Sequence, residues 1–340
     1  AYLEKEYVDL ICAGEGEKSL LEVCDRVESK IFDFTNIPNI WTKNLDTGEI
    51  KEGPLGEFIN LDDLNVTDWD SYESYHQYSP YNGILQKMAM VEFSRGCPYS
   101  CTYCESSTLK FMHADQGINK YVRNKSPEKF VEECKTLVDN YGIEMFYIVD
   151  GTFLVMSNSV LEKLAKLFKK IVNKPFMCLT TAPSVTVRRA ELLAEMGCLQ
   201  VNMGLESGNE TYRKEVLGRP NMTNEKIIFA FNQMKKNNII TSSYNMIGMP
   251  WQSRDSIEET ITLNRLAKPD YVNVSIFIPF EGTSLLQRLR KEGYVGDGLI
   301  LGDESRATLN VPSDMSLDEI DRLHKVFTLY CKVPDSVMND

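Results

Sequence analysis

Ser94-Arg95-Gly96-Cys97-Pro98-Tyr99-Ser100-Cys101-Thr102-Tyr103-Cys104 carries three of the chain's nine cysteines, in the spacing Cys-x3-Cys-x2-Cys. Thiolates from one loop can each take one iron of a cubane, and three of them leave the fourth iron without a protein ligand. Structural zinc is the competing reading, but such a site is closed by four ligands. The nearest further donor is His113, nine residues beyond Cys104, and no other cysteine or histidine follows at a zinc-like interval. Ligand count therefore favours a [4Fe–4S] cluster on Cys97, Cys101 and Cys104 with one iron open.

The residues on either side set the fold. Upstream, 87–94 read as an apolar strand. Downstream, Ser126-Pro127 reads as a helix start, an N-cap followed by proline at the first helical position, with Val131, Cys134 and Val138 on one face. The pattern then repeats, with strands predicted at 145–150, 176–181, 199–206, 239–249 and 271–280, and helices at 160–172, 186–196, 223–236, 253–266 and 283–291. Apolar β-rich runs alternating with helix-period segments signal βα units on a parallel sheet. Six in succession over 87–292 predict an α/β fold built on a partial, TIM-like (β/α)6 barrel. Chemistry in such barrels gathers at the C-terminal ends of the strands. One mouth would then collect the cysteine loop, Asp150-Gly151-Thr152, Thr180, Glu206-Ser207-Gly208, Ile247-Gly248-Met249 and Pro279-Phe280.

The flanks differ. In residues 1–60 an apolar strand at 8–13 runs into Gly14-Glu15-Gly16-Glu17 and a helix at 19–27, and a short hairpin is expected around Asp46-Thr47-Gly48. This outlines the last βα unit of a Rossmann-like domain. Because the chain opens on Ala1 rather than Met, the earlier strands are expected upstream in a longer protein. Residues 61–86, polar and rich in Asp and Tyr, read as a linker, and 293–340 as a small C-terminal helical extension.

A net charge of −12 and a pI near 5.0 repel a phosphate backbone, so nucleic acid is not an expected partner. No run of 18 apolar residues and no opening signal segment occurs, which leads us to expect a cytoplasmic protein without a membrane span. Cys12, Cys24, Cys134, Cys178, Cys198 and Cys331 form no close sequence pair and read as small buried hydrophobes in a reducing compartment.

With an aromatic just before the last cysteine, and the motif placed after the first strand of a six-unit array, residues 87–292 resemble the radical S-adenosylmethionine (SAM) superfamily. The resemblance implies that the open iron chelates the amino and carboxylate groups of SAM. One electron then breaks the S–C5′ bond to give a 5′-deoxyadenosyl radical, the cofactor supplying the chemistry and the protein the positioning. It further implies that Tyr103 contacts the adenine. Asp150-Gly151-Thr152 stands where the family receives the SAM amino group, in place of the usual Gly-Gly-Glu, and Thr180 joins the cofactor-binding residues at the next strand end. Glu206 and Ser207 would hydrogen-bond the ribose or methionine part, Gly208 would permit close backbone approach, and Ile247-Gly248-Met249 would pack on the adenine. No catalytic acid, base or radical relay is legible.

Gly14-Glu15-Gly16 with its helix, Ile40-Trp41-Thr42-Lys43, Thr47-Gly48-Glu49-Ile50 and Ile278-Pro279-Phe280-Glu281-Gly282-Thr283 extend the resemblance to the cobalamin-dependent branch, in which the glycine turn lies near the corrinoid's nucleotide tail. The Asp-x-His-x-x-Gly motif of many corrinoid domains does not occur, so cobalamin is expected on a longer parent and only weakly on this chain. Three functions stay open: cobalamin-dependent methyl transfer or rearrangement on an unactivated carbon of a small molecule, a cobalamin-independent reaction on a small molecule or peptide, and a non-catalytic iron–sulfur module. Either enzyme would need an external one-electron reductant of flavodoxin or ferredoxin type.

Overall fold

Alternation along the strands decides which face meets the helices. In the strand Cys198–Glu206, Val201, Met203 and Leu205 are fully buried against helices, whereas Gln200, Gly204 and Glu206 on the opposite face keep partial exposure. The computed structural model describes residues 3, 7–44, 47–296, 307 and 311–333. Its elements open with β1 (Leu10–Cys12), α1 (Glu17–Glu28), β2 (Ile40–Lys43), β3 (Ile50–Lys51), β4 (Tyr78–Tyr81), β5 (Ile84–Val91) and the short β6 (Ser94–Arg95). Then come α2 (Glu105–Asp115), β7 (Arg123–Asn124), α3 (Pro127–Tyr141), β8 (Met145–Ile148), α4 (Asn158–Ile171), β9 (Phe176–Thr180) and α5 (Val187–Met196). The chain continues through β10 (Cys198–Glu206), α6 (Glu210–Glu215), α7 (Asn224–Lys236), β11 (Ile240–Ile247), α8 (Arg254–Ala267), β12 (Tyr271–Ile276), α9 (Ser284–Lys291) and α10 (Leu317–Lys332).

β5, β8, β9, β10, β11 and β12 are parallel neighbours in that order, the six predicted strands, and curl into a half-barrel. Helices follow the strand ends because each is capped there: Ser126, Ser157, Thr186, Thr223, Ser253 and Thr283 accept a backbone N–H three residues on. Phe93, Phe130, Phe146, Phe153, Phe168 and Phe176 interlock edge to face between sheet and helices.

Three features depart from the sequence expectations. The first barrel strand begins earlier, at Ile84, because Asn82 (φ 48°) and Gly83 (φ 76°) form a left-handed two-residue turn that pairs it with antiparallel β4. That hairpin, inside the expected linker, plugs the lower opening: the Tyr81 hydroxyl donates to Gln200 Oε1 at 3.0 Å and the Tyr271 hydroxyl to Asn82 Oδ1 at 2.9 Å. Secondly, the strand expected at 8–13 shortens to β1 and pairs antiparallel with β2, itself antiparallel to β3, so among the described residues it has no parallel neighbour. Its backbone must be paired, and the hairpin that follows is the partner. Asp46 of that hairpin lies outside the described residues. Thirdly, the C-terminal extension contributes α10, which covers β12 and α8 through Ile320 and Phe327; 297–306, 308–310 and 334–340 lie outside the described residues. No helix among those described is long and apolar enough to cross a membrane.

Candidate active site

The cysteine loop is held from every side. Gly96 enters it at φ 86°, and a Cβ there would stand 2.3 Å from Tyr121 O, so only glycine fits between β6 and β7. Asp150, buried just past β8, accepts from Phe93 N (2.7 Å), Ser94 N (2.9 Å) and Ser94 Oγ (2.5 Å), clamping the strand that leads into the cysteines. Ser107 Oγ donates to Cys101 O, Lys110 Nζ to Pro98 O and Ser100 Oγ, and Thr102 N to Leu217 O. Cys104 caps α2, a helix the sequence reading did not foresee.

All three thiols are partly exposed and free of disulfides. Burial pushes the Cys101 thiol up to about 11, Arg219 acting in the opposite sense, and burial also raises Cys97; the neighbouring Cys104 adds to both. His113 does not join them: it is buried, stacked on Phe58 with ring centres 4.4 Å apart, and bonded through Nδ1 to Leu109 O. Among the described residues, no three His, Cys, Asp or Glu side chains converge on a point that could hold a single metal ion. Three thiols from one loop suit a cubane, where each thiolate binds its own iron, and leave a structural zinc one ligand short.

Beside the loop lies a charged group built by a backbone irregularity. The β10–β11 register shifts between Gly204 and Glu206, and Glu206 takes φ 65°. Its Oε1 accepts from Arg219 Nη1 at 3.1 Å and from the Tyr103 hydroxyl at 3.3 Å. Gly204 leaves the room, since a Cβ there would lie 2.2 Å from that oxygen. Burial raises the Glu206 carboxyl, with Arg219 and Tyr103 opposing. Gly218 (φ 68°) sets the turn before Arg219 against the cysteine loop, its missing Cβ 2.8 Å from Ser100 O. Sequence reasoning missed Arg219; the only signal was a basic residue in the turn Leu217-Gly218-Arg219-Pro220.

The remaining predicted residues divide. Gly151 borders Cys97, and the buried Thr152 and Thr180 place their hydroxyls 3.4 Å apart behind it. Met249 is buried in one cluster with Tyr103 and Leu217, whereas Ile247 packs into the α10 core and Gly248 (φ 70°) abuts Ile320. Ser207 and Gly208 turn from Glu206 toward α8: Ser207 Oγ meets Ser256 Oγ at 3.3 Å, and a Cβ on Gly208 would lie 2.2 Å from Glu259 O. Of Gly14, Glu15 and Gly16, Glu15 is the one that reaches the strands flanking the cysteine loop, while Gly16 lies beside Cys12. Glu15 pairs with Arg95 (3.2 Å) and Arg123 and accepts from Ile59 N (2.9 Å), while Gly14 abuts His113. A cleft of about 450 Å³ beside that turn is lined by Glu15, Ser19, Arg26 and Asn39 among others.

Residues 91–263 match the model of the Radical SAM superfamily. An uncharacterized methyltransferase of Pyrococcus horikoshii is 26% identical over 279 residues, covering 82% of this chain and 57% of that protein. The anaerobic magnesium-protoporphyrin IX monomethyl ester cyclase of Rubrivivax gelatinosus is 25% identical over 291 residues, 84% of this chain and 50% of its own. Among solved structures, the radical SAM methyltransferase TsrM of Kitasatospora setae, with cobalamin and a [4Fe–4S] cluster bound, is similar at a TM-score of 0.64 and 16% identity, covering 89% of this chain and 57% of that one. The chain thus spans about half the length of the curated relatives it matches.

Proposed function

Since this chain belongs to the radical SAM superfamily, we propose that it holds a [4Fe–4S] cluster on Cys97, Cys101 and Cys104 and cleaves SAM to functionalise a small molecule. The observation that carries the reading is the buried Glu206–Arg219–Tyr103 group standing beside three unpaired thiols. When bound, the cluster supplies the electron that breaks the S–C5′ bond. The chain's own residues hold SAM: Glu206 accepts from a hydroxyl or ammonium, Arg219 offers its guanidinium to a carboxylate, and Tyr103, backed by the buried Met249, gives the adenine an aromatic wall. Asp150 keeps the cluster loop in place, its oxygens being taken by Phe93 and Ser94, which leaves backbone beside Gly151 as the contact at that strand end.

Methyl transfer is the reaction that the relatives' names favour, with cyclisation or rearrangement second. The described N-terminal residues offer a corrinoid no edge of several parallel strands: their three short strands pair antiparallel, and Glu15 is engaged by Arg95 and Arg123. No step is therefore assigned to it. The electron comes from an external carrier of flavodoxin or ferredoxin type, in the cytoplasm. Anaerobic reconstitution is expected to load about four irons per chain. Each of Cys97→Ala, Cys101→Ala and Cys104→Ala should abolish the broad visible absorption, and full iron in any of them would overturn the assignment.

A further inference from the structure

Among the described residues Arg213, on α6, is the largest side chain that is fully buried. A buried guanidinium ordinarily sits on a carboxylate. Its one ion-pair neighbour among the described residues is Glu210, at 3.8 Å and half exposed. The fork is spent instead on uncharged oxygens: Nη1 donates to Ser207 O, Nε to Met222 O at 2.9 Å and Nη2 to Asn224 Oδ1 at 2.6 Å. The Arg213 backbone carbonyl accepts from Arg219 N at 2.8 Å.

These partners lie on both sides of the charge pair in the mouth. Ser207 directly follows Glu206 at the end of β10, and Met222 closes the turn that carries Arg219, its N donating to Arg219 O at 3.3 Å. One planar group thus spans the two segments that bring Glu206 Oε1 to Arg219 Nη1. An ammonium could not replace it, being a point charge on a flexible stem where the guanidinium presents its donors in a fixed plane. The arrangement also gives a purpose to Ser207 and Gly208, which the strand sends away from the mouth. Ser207 offers its carbonyl to Arg213, while Gly208 O accepts from Asn224 Nδ2 at 3.1 Å and Gly208 N donates to Thr260 Oγ1 on α8 at 2.7 Å. Asn224 therefore touches both Arg213 and Gly208 and closes the brace. A left-handed Glu206 needs such a brace, because a strained backbone persists only where its surroundings over-determine it.

We propose that Arg213 is a positioning residue for SAM: it fixes the spacing between Glu206 and Arg219, so that carboxylate and guanidinium meet the cofactor's charged groups together. The assignment rests on reading the mouth as the SAM site.

Calorimetric titration of SAM into the anaerobically reconstituted chain tests it. Arg213→Lys and Arg213→Met should each weaken SAM about tenfold with iron content intact, lysine failing alongside methionine because charge without the fork does not hold three acceptors. In an Arg219→Met background the further loss from Arg213→Met should shrink to within about twofold, since the pair it spaces is no longer there. A residue that serves stability alone would lower the melting temperature, leave the affinity of the folded, loaded chain unchanged, and act alike in both backgrounds. Asn224→Ala removes one acceptor and keeps the guanidinium; it should weaken SAM about threefold and carries the test where an Arg213 variant loses its cluster. Wild-type affinity in Arg213→Lys or in Asn224→Ala, or an undiminished tenfold loss in the Arg219→Met background, would overturn the proposal. A loaded wild type that binds no SAM removes the reading of the mouth and this assignment with it, whereas a wild type that binds SAM no better than these variants removes the assignment alone.

Discussion

Glu206 sits in a left-handed conformation that costs a non-glycine residue on the order of 1–3 kcal/mol, and the bulge that imposes it aims the carboxylate at Arg219 and Tyr103. Strain that ends in a buried charge pair is how a strand end is preorganised for a ligand. Glu206→Gln should therefore weaken SAM binding roughly ten- to a hundred-fold, the equivalent of one charge-assisted hydrogen bond at about 1.5–3 kcal/mol, with iron content intact. Gly204→Ala should do the same while keeping the charge, since its Cβ would displace the carboxylate. Calorimetric titration with SAM measures both, and unchanged affinity in the pair would make Glu206 a structural residue. The cysteines, Tyr103 and Glu206 could be named as candidates from the sequence because their motifs have fixed intervals, and the structure brings Tyr103 and Glu206 into contact. Arg219 could not be so named, because nothing thirteen residues beyond Glu206 says which carboxylate it will meet. Ser207 and Gly208 share a motif with Glu206, but a strand that turns at its end sends adjacent residues to opposite sides.

Between elements, Asp150 is the tie that joins the end of β8 to β5 and β6. Burial pushes its carboxyl up to about 6, against the hydrogen bonds from Ser94 and Phe93. The folded chain thus holds a proton there that the unfolded chain, at an ordinary value of 3.8, releases. Stability linked to Asp150 falls as pH rises through that interval and recovers as pH drops. The unfolding free energy of the wild type minus that of Asp150→Asn should grow by about 1 kcal/mol from pH 7 to pH 5, read by urea titration; a flat or opposite trend would show that Asp150 is not the buried acid described. The βα units were readable because Ser and Thr caps and apolar periods recur at each of them. β4 was not, although Asn82-Gly83 is a hairpin signal, because the polar residues around it resemble a linker. α2 follows directly on Cys104, its N-cap, and its weak amphipathicity hid it from periodicity.

Across the molecule, the N-terminal unit and the half-barrel meet at the cluster loop, where Arg95 gathers Glu15, Glu17 and Glu92. The Rossmann-like reading of residues 1–60 recognised the glycine turn and its helix but not the pairing around them, since strand direction is set by partners that a local pattern does not name. A Rossmann-like sheet grips its ligand across the ends of several parallel strands, and the described N-terminal residues form three short antiparallel ones. Residues 1–340 should accordingly bind hydroxocobalamin weakly in equilibrium dialysis, and tight stoichiometric retention would contradict this. The barrel has its own core and should fold without a bound corrinoid, so cobalamin-free turnover of SAM is the expected outcome. The decisive measurement is 5′-deoxyadenosine, quantified by mass spectrometry after the anaerobically reconstituted chain is reduced in the presence of SAM. The wild type should form it without cobalamin and Cys101→Ala should form none; a wild-type chain with its full iron and bound SAM that yields no 5′-deoxyadenosine would contradict the account.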